Sequence, residues 1–200
     1  MKLLTKKDVS PICKNITDEF EGWSYTNSTF KKDIENHSTI YINPLWAMQL
    51  SAQPTVVLTN KKVNRLSKIL FNETNCWISL KDILAPNATL PTHTYQKLVY
   101  TLQEAEDYIR DFFTRGLVII DNYYNYLDES ELLDNMPIDL EGNVGVGYCL
   151  SRIIRHDFET ARKYANDEIK TIQPKHPWVE QIKSSLPIFE EKYQKTGSVL

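Results

Sequence analysis

Residues 101–127, TLQEAEDYIRDFFTRGLVIIDNYYNYL, contain the longest periodic pattern in the chain and decide how it folds. Apolar and aromatic side chains recur there at every third or fourth position over about six turns, which predicts one face of an α-helix. Thr101 and Glu104 have the spacing of a capping box, so we expect the helix to begin beside them. A stripe of this length has to pack on another element, and the flanking Val118 and Ile119 indicate burial on more than one side. The stripe consists of Ala105, Tyr108, Ile109, Phe112, Phe113, Gly116, Leu117, Ile120, Tyr123, Tyr124 and Leu127.

The residues before this stripe predict the sheet on which it packs. A first helix is expected from Ser10 as N-cap and Pro11 as first helical residue, and Gly22 ends it. Alternating and β-branched segments then predict strands joined by short connections, which favours an antiparallel meander. The predicted strands are residues 23–26, 29–32, 38–43, 46–50 and 54–59, followed by a helix at 62–71. Residues 77–80 are either a further strand or the lead-in to a short helical turn at 81–84.

The residues after the stripe predict more helices. A single helical turn is expected at residues 130–135, and longer helices at 146–155 and 177–192. Asp157 is the predicted N-cap of another helix, which buries Phe158, Ala161 and Tyr164. The predicted fold class is therefore α+β: an antiparallel meander with an N-terminal helix, packed by a helical C-terminal half. Residues 1–90 would form the sheet portion and residues 91–200 the helical portion of one continuous domain.

Composition indicates an ordinary globular protein. The chain has 200 residues and a net charge of −3, and its longest apolar run is far shorter than the ~20 residues of a membrane helix. The first residues, MKLLTKKDV, lack the apolar region of a secretory signal, so we expect a cytoplasmic protein and no contact with a membrane. Cys13, Cys76 and Cys149 are widely spaced, which predicts reduced, buried thiols.

Motifs that would indicate catalysis are absent from the sequence. Residues 142–147, GNVGVG, have no lysine of a phosphate loop and adjoin an acidic stretch, so close packing or a turn is the better interpretation. The histidines and cysteines lack metal-ligand spacing, and no cofactor or metal is predicted. Lys61, Lys62, Arg65 and Lys68 indicate a solvated helix face, so nucleic-acid binding is not expected. The enzymatic alternative is a small enzyme of unknown class whose site lies between the two halves and uses His156.

Charge is distributed very unevenly along the chain. Residues 1–100 have a balance of +4, residues 101–141 of −9 and residues 142–200 of +2, and no Lys or Arg occurs between Arg115 and Arg152. This acidic segment is either a solvated surface or a surface that attracts a basic protein partner. Tyrosine is enriched at protein interfaces, which favours recognition. The candidate partner-binding residues are Asp121, Tyr123, Tyr124, Tyr126, Asp128, Glu129, Glu131 and Asp134.

The order of elements also resembles a known group of proteins. A helix, a hairpin at 23–32 and the segment IYINPLW at 40–46 precede the long helix and the helical pair around Asp157. This layout resembles a family of uncharacterised bacterial α+β domains, similar to the immunity proteins that bacteria keep against toxins. The resemblance implies a non-catalytic protein whose acidic patch covers a basic toxin, as in a toxin–antitoxin pair. A module that dimerises through the apolar stripe is a third interpretation, and the oligomeric state stays open.

Overall fold

The computed structural model describes residues 4–35, 37–43, 50–51, 55–73, 78–79, 96–97, 99–123, 125–136, 138 and 144–200. The N-terminal helix, α1 (Lys6–Asp18), begins five residues earlier than predicted. The carboxylate of Asp8 accepts hydrogen bonds of 2.7 Å from both the backbone N–H and the hydroxyl of Thr5, which caps the helix. Pro11 consequently lies inside the helix, and the predicted start at Ser10 was wrong.

The predicted antiparallel meander is confirmed. The main sheet consists, in spatial order, of β1 (Trp23–Thr26), β2 (Thr29–Ile34), β3 (Ser38–Asn43), β5 (Thr55–Asn60) and β6 (Ile78–Ser79), and every described pair is antiparallel. Asn27 and Ser28 both have positive φ, as the two central residues of a type I′ hairpin turn require. Two short strands, β4 (Leu50–Ser51) and β7 (Gln96–Lys97), pair separately.

One face of this sheet is apolar and forms part of the core. Phe30 lies opposite Ile42, and Ile40 lies opposite Leu58, and all four side chains are buried. Because side chains alternate along a strand, the residues between them lie on the other face, which is largely polar. The other predicted strand residues, 46–49, 54, 77 and 80, and the boundary between residues 90 and 91 lie outside the described residues.

The long helix packs on the apolar face as its stripe predicted. It is α3 (Leu102–Tyr123), and α2 (Lys61–Phe71) precedes it in the chain. The capping box is confirmed: Thr101 N–H donates to the Glu104 carboxylate at 3.1 Å, and Glu104 N–H donates to the Thr101 hydroxyl at 3.2 Å. Gly116 allows the helix to lie close to the sheet, because a Cβ there would be 2.7 Å from Cδ1 of Ile42. The buried residues of the stripe include Ala105, Ile109, Phe112, Phe113 and Ile120.

The outer side of α3 and the turn after it differ from the prediction. Val118 is 52% exposed, so burial of the helix on two sides was wrong at this residue. The helix ends at Tyr123, and Leu127, expected on the stripe, is 62% exposed. The chain turns there because Asp128 N–H donates to the carbonyl of Asn125 at 3.3 Å and the next helix begins at once.

The C-terminal half is helical and shares the core of the sheet, as predicted. Asp157 caps α6 through a 3.2 Å bond from Thr160 N–H. Gly145 has a φ of +81°, and a Cβ there would lie 1.9 Å from the Tyr164 hydroxyl oxygen, so this glycine allows close packing. No described helix is long and apolar enough to cross a membrane. The helices are α4 (Glu129–Asp134), α5 (Val146–Ile154), α6 (Phe158–Ala165) and α7 (Trp178–Thr196).

Candidate partner-binding surface

The candidate partner-binding residues begin at the C-terminal end of α3. Asp121 is exposed, and its Oδ1 accepts a hydrogen bond of 3.3 Å from the hydroxyl of Tyr126. Tyr126 is half-buried, and its pKa is raised by burial first and by the neighbouring carboxylate second. Tyr124 and the side chain of Tyr123 lie outside the described residues. Tyr126 is therefore the predicted tyrosine whose side chain lies among the described residues.

Asp128 has a structural role in addition to its charge. Its Oδ1 accepts hydrogen bonds of 2.8 Å from Ser130 N–H and 3.1 Å from Glu131 N–H, which makes it the N-cap of α4. A carboxylate at this position also faces the positive end of the helix dipole. The side chain is nevertheless exposed, so its charge is also accessible to a partner.

Glu129 lies against the sheet and is only partly exposed. Its two oxygens accept hydrogen bonds of 2.9 Å from Nδ2 of Asn60 and 2.5 Å from Nζ of Lys62. The oxygen of the same Asn60 side chain caps α2 by accepting from Lys62 and Val63 N–H. Burial alone would raise the pKa of Glu129, but the bonds from Lys62 and Asn60 outweigh it, and the pKa lies below its ordinary value. Glu129 thus attaches α4 to the sheet and to α2.

A buried polar group continues from this contact into the sheet. Ser38 Oγ accepts a long bond of 3.4 Å from Asn60 Nδ2 and lies 2.7 Å from Nδ1 of His37. A hydroxyl beside an imidazole is the arrangement of a nucleophile and its base. Ser38 is wholly buried, however, so its hydroxyl has no access to a substrate in this conformation. We therefore interpret this group as a structural connection between β3, β5 and α4.

Asp134 is held at the other end of α4 by two arginines of α5 and its C-cap. Nε and Nη2 of Arg155 donate to its two carboxylate oxygens at 2.8 and 3.0 Å, and Nη1 donates to Ser130 Oγ at 3.1 Å. Arg152 donates to the backbone carbonyl of Asp134 and places Nη1 3.9 Å from its Oδ1. Cations beside the C-terminal end of a helix also compensate its dipole.

Glu131 completes the set of predicted acids. It is exposed, and it accepts a hydrogen bond of 2.8 Å from Nδ2 of Asn125. Within the described residues, neither it nor Asp121 or Asp128 forms an ion pair. Glu129 and Asp134, in contrast, are paired with cations from distant parts of the chain.

The fold therefore divides the five candidate acids of residues 121–134 into carboxylates that are paired with a cation and carboxylates that are not. Lys62, Arg152 and Arg155 supply positive charge to a stretch that has none in its own sequence. The capping role of Asp128 could be inferred locally from the acid-rich turn that follows it. The ion pairs have no local sequence signal, because 67 residues separate Lys62 from Glu129 and 21 separate Asp134 from Arg155.

His156, the candidate for the enzymatic alternative, lies at the end of α5. Its φ is +62°, and its ring stacks on Tyr193 with centroids 3.8 Å apart. Its pKa is lowered by burial first and by Arg155 second. Among the described residues its imidazole forms no hydrogen bond with a carboxylate, and Asp157 caps α6 instead. These contacts are those of a residue that ends a helix.

The described cysteines are buried and protonated. Cys13 and Cys149 are buried free thiols, and burial raises the pKa of each to about 12, which keeps them protonated. Cys76 and His93 lie outside the described residues. In the part of the chain that the structure describes, no group of three His, Cys, Asp or Glu side chains could hold a metal ion.

No family model, curated protein or solved structure matches this chain. The resemblance to immunity-type domains consequently stays a prediction from the layout of the sequence.

Proposed function

We propose that this protein is a non-catalytic binding protein that recognises a basic protein partner through residues 121–134. The observation that carries the proposal is the set of exposed carboxylates of Asp121, Asp128 and Glu131, which form no ion pair among the described residues. Carboxylates without a neutralising cation contribute most to the field that a partner meets. A bacterial immunity protein that neutralises a toxin is the specific form of this proposal.

The two classes of carboxylate have different roles in it. Asp121, Asp128 and Glu131 meet the cations of the partner, while Glu129 and Asp134 hold α4 in place through Lys62 and Arg155. A surface that is already ordered loses less conformational entropy when it binds. The proposal therefore assigns recognition to three of the five acids and positioning to the other two.

Apolar surface supports the same location. Leu127, exposed in the turn between α3 and α4, follows the half-buried Tyr126 directly. Interfaces combine buried apolar or aromatic contacts with a polar rim, and the apolar contacts account for much of the affinity. In the proposed complex these two side chains provide the apolar contact and the surrounding acids provide the rim.

The test begins with tagged candidate toxins, taken from the products of the genes that flank this one. Association should be fast at low salt and should slow by about ten-fold or more between 50 and 300 mM salt, because the Debye length falls to below about 10 Å. Binding kinetics measured on an immobilised toxin report this directly. A binder whose association rate does not depend on salt would contradict the proposal.

A matched pair of charge reversals identifies the surface. The double variant Asp121→Lys with Glu131→Lys should slow association. Its control is Glu168→Lys with Glu180→Lys, which changes the net charge equally at two exposed acids elsewhere on the protein. Both double variants keep the cap at Asp128. If the two double variants slow association equally, the effect is one of total charge and residues 121–134 are not the binding surface.

A further inference from the structure

We draw no further inference here: the strongest candidate, the surface turn between α3 and α4 where Leu127 is exposed among the carboxylates of Asp121, Asp128 and Glu131, belongs to the surface already proposed, and nothing in the structure shows what covers it.

Discussion

Replacing Glu129 with Gln tests whether this acid holds the binding surface in place. Glutamine keeps an acceptor for Asn60 but loses the negative charge that faces Lys62. Hydrogen bonds to charged groups contribute about 1.5–3 kcal/mol, and exposed ion pairs only about 0–1 kcal/mol. The side chain of Glu129 is 21% exposed and that of Lys62 is 50% exposed, so this contact lies between the two cases. We expect E129Q to lower the free energy of unfolding by about 1–2 kcal/mol.

Glu131 provides the matched control, because it lies two residues further along the same helix. It is exposed, and the glutamine oxygen of E131Q can still accept from Asn125. We expect E131Q to change the free energy of unfolding by less than about 0.5 kcal/mol. Urea denaturation at pH 7, followed by tryptophan fluorescence and circular dichroism, measures both variants.

The effects of the two variants on binding should have the opposite order. E131Q removes a charge that is proposed to meet the partner, whereas E129Q removes one that Lys62 already neutralises. The association rate should therefore fall more for E131Q, while stability falls more for E129Q. A double-mutant cycle with Lys62→Met should show a coupling of about 1 kcal/mol for Glu129. Equal stability losses for E129Q and E131Q, together with a coupling near zero, would refute the division into positioning and recognising acids.

Three further predictions follow from local geometry. The pKa of Glu129 is lowered from 4.5 in the folded protein, so the stabilisation by its charge is fully present above that pH and is lost as the pH falls further. The difference in unfolding free energy between wild type and E129Q should therefore shrink below about pH 4.5. Urea denaturation from pH 7 to pH 3 measures this difference. Gly145→Ala should destabilise the protein by about 2–4 kcal/mol, because of the positive φ at this position and the tyrosine ring beside it. Gly147→Ala should be neutral or slightly stabilising, because its Cβ would meet a methionine sulfur at an ordinary 3.6 Å. Thermal unfolding compares the two variants, and equal effects would contradict the close packing at Gly145. His156→Gly and His156→Ala both lose the stacked ring, but the glycine variant should be more stable by about 1 kcal/mol, because glycine adopts a φ of +62° without strain. An alanine variant at least as stable as the glycine variant would argue against the helix-end role of His156.

The caps predicted at Thr101 and Asp157 and the helical period of α3 were reliable in this chain. Thr101 and Glu104 form the predicted capping box, and Asp157 caps the predicted helix. The periodic stripe of α3 buries Ala105, Ile109, Phe112, Phe113 and Ile120, and Tyr108 and Leu117 are partly buried. These features depend on hydrogen bonds between near neighbours and on the 3.6-residue repeat, both of which are visible in one sequence.

The wrong predictions came from a local signal that was overlooked or from a pattern that was extended too far. The sequence predicts a start at Ser10 and Pro11, whereas Thr5 and Asp8, which have the spacing of a capping box with an acid at N3, begin α1 in the structure. Val118 is apolar but lies away from the stripe, and composition alone does not say whether a second layer covers it. Burial depends on what other elements pack against a residue, which is a property of the whole fold.

The sequence by itself determined the α+β class, the order of the elements and the place where acidic residues concentrate. Only the tertiary structure decided which of those acids keep an unpaired charge. Lys62, Arg152 and Arg155 reach Glu129 and Asp134 across the fold, whereas Asp121, Asp128 and Glu131 receive no cation among the described residues. The physical reason is that Coulomb interactions depend on distance in space, so a charge balance counted along the chain becomes a surface field only after folding.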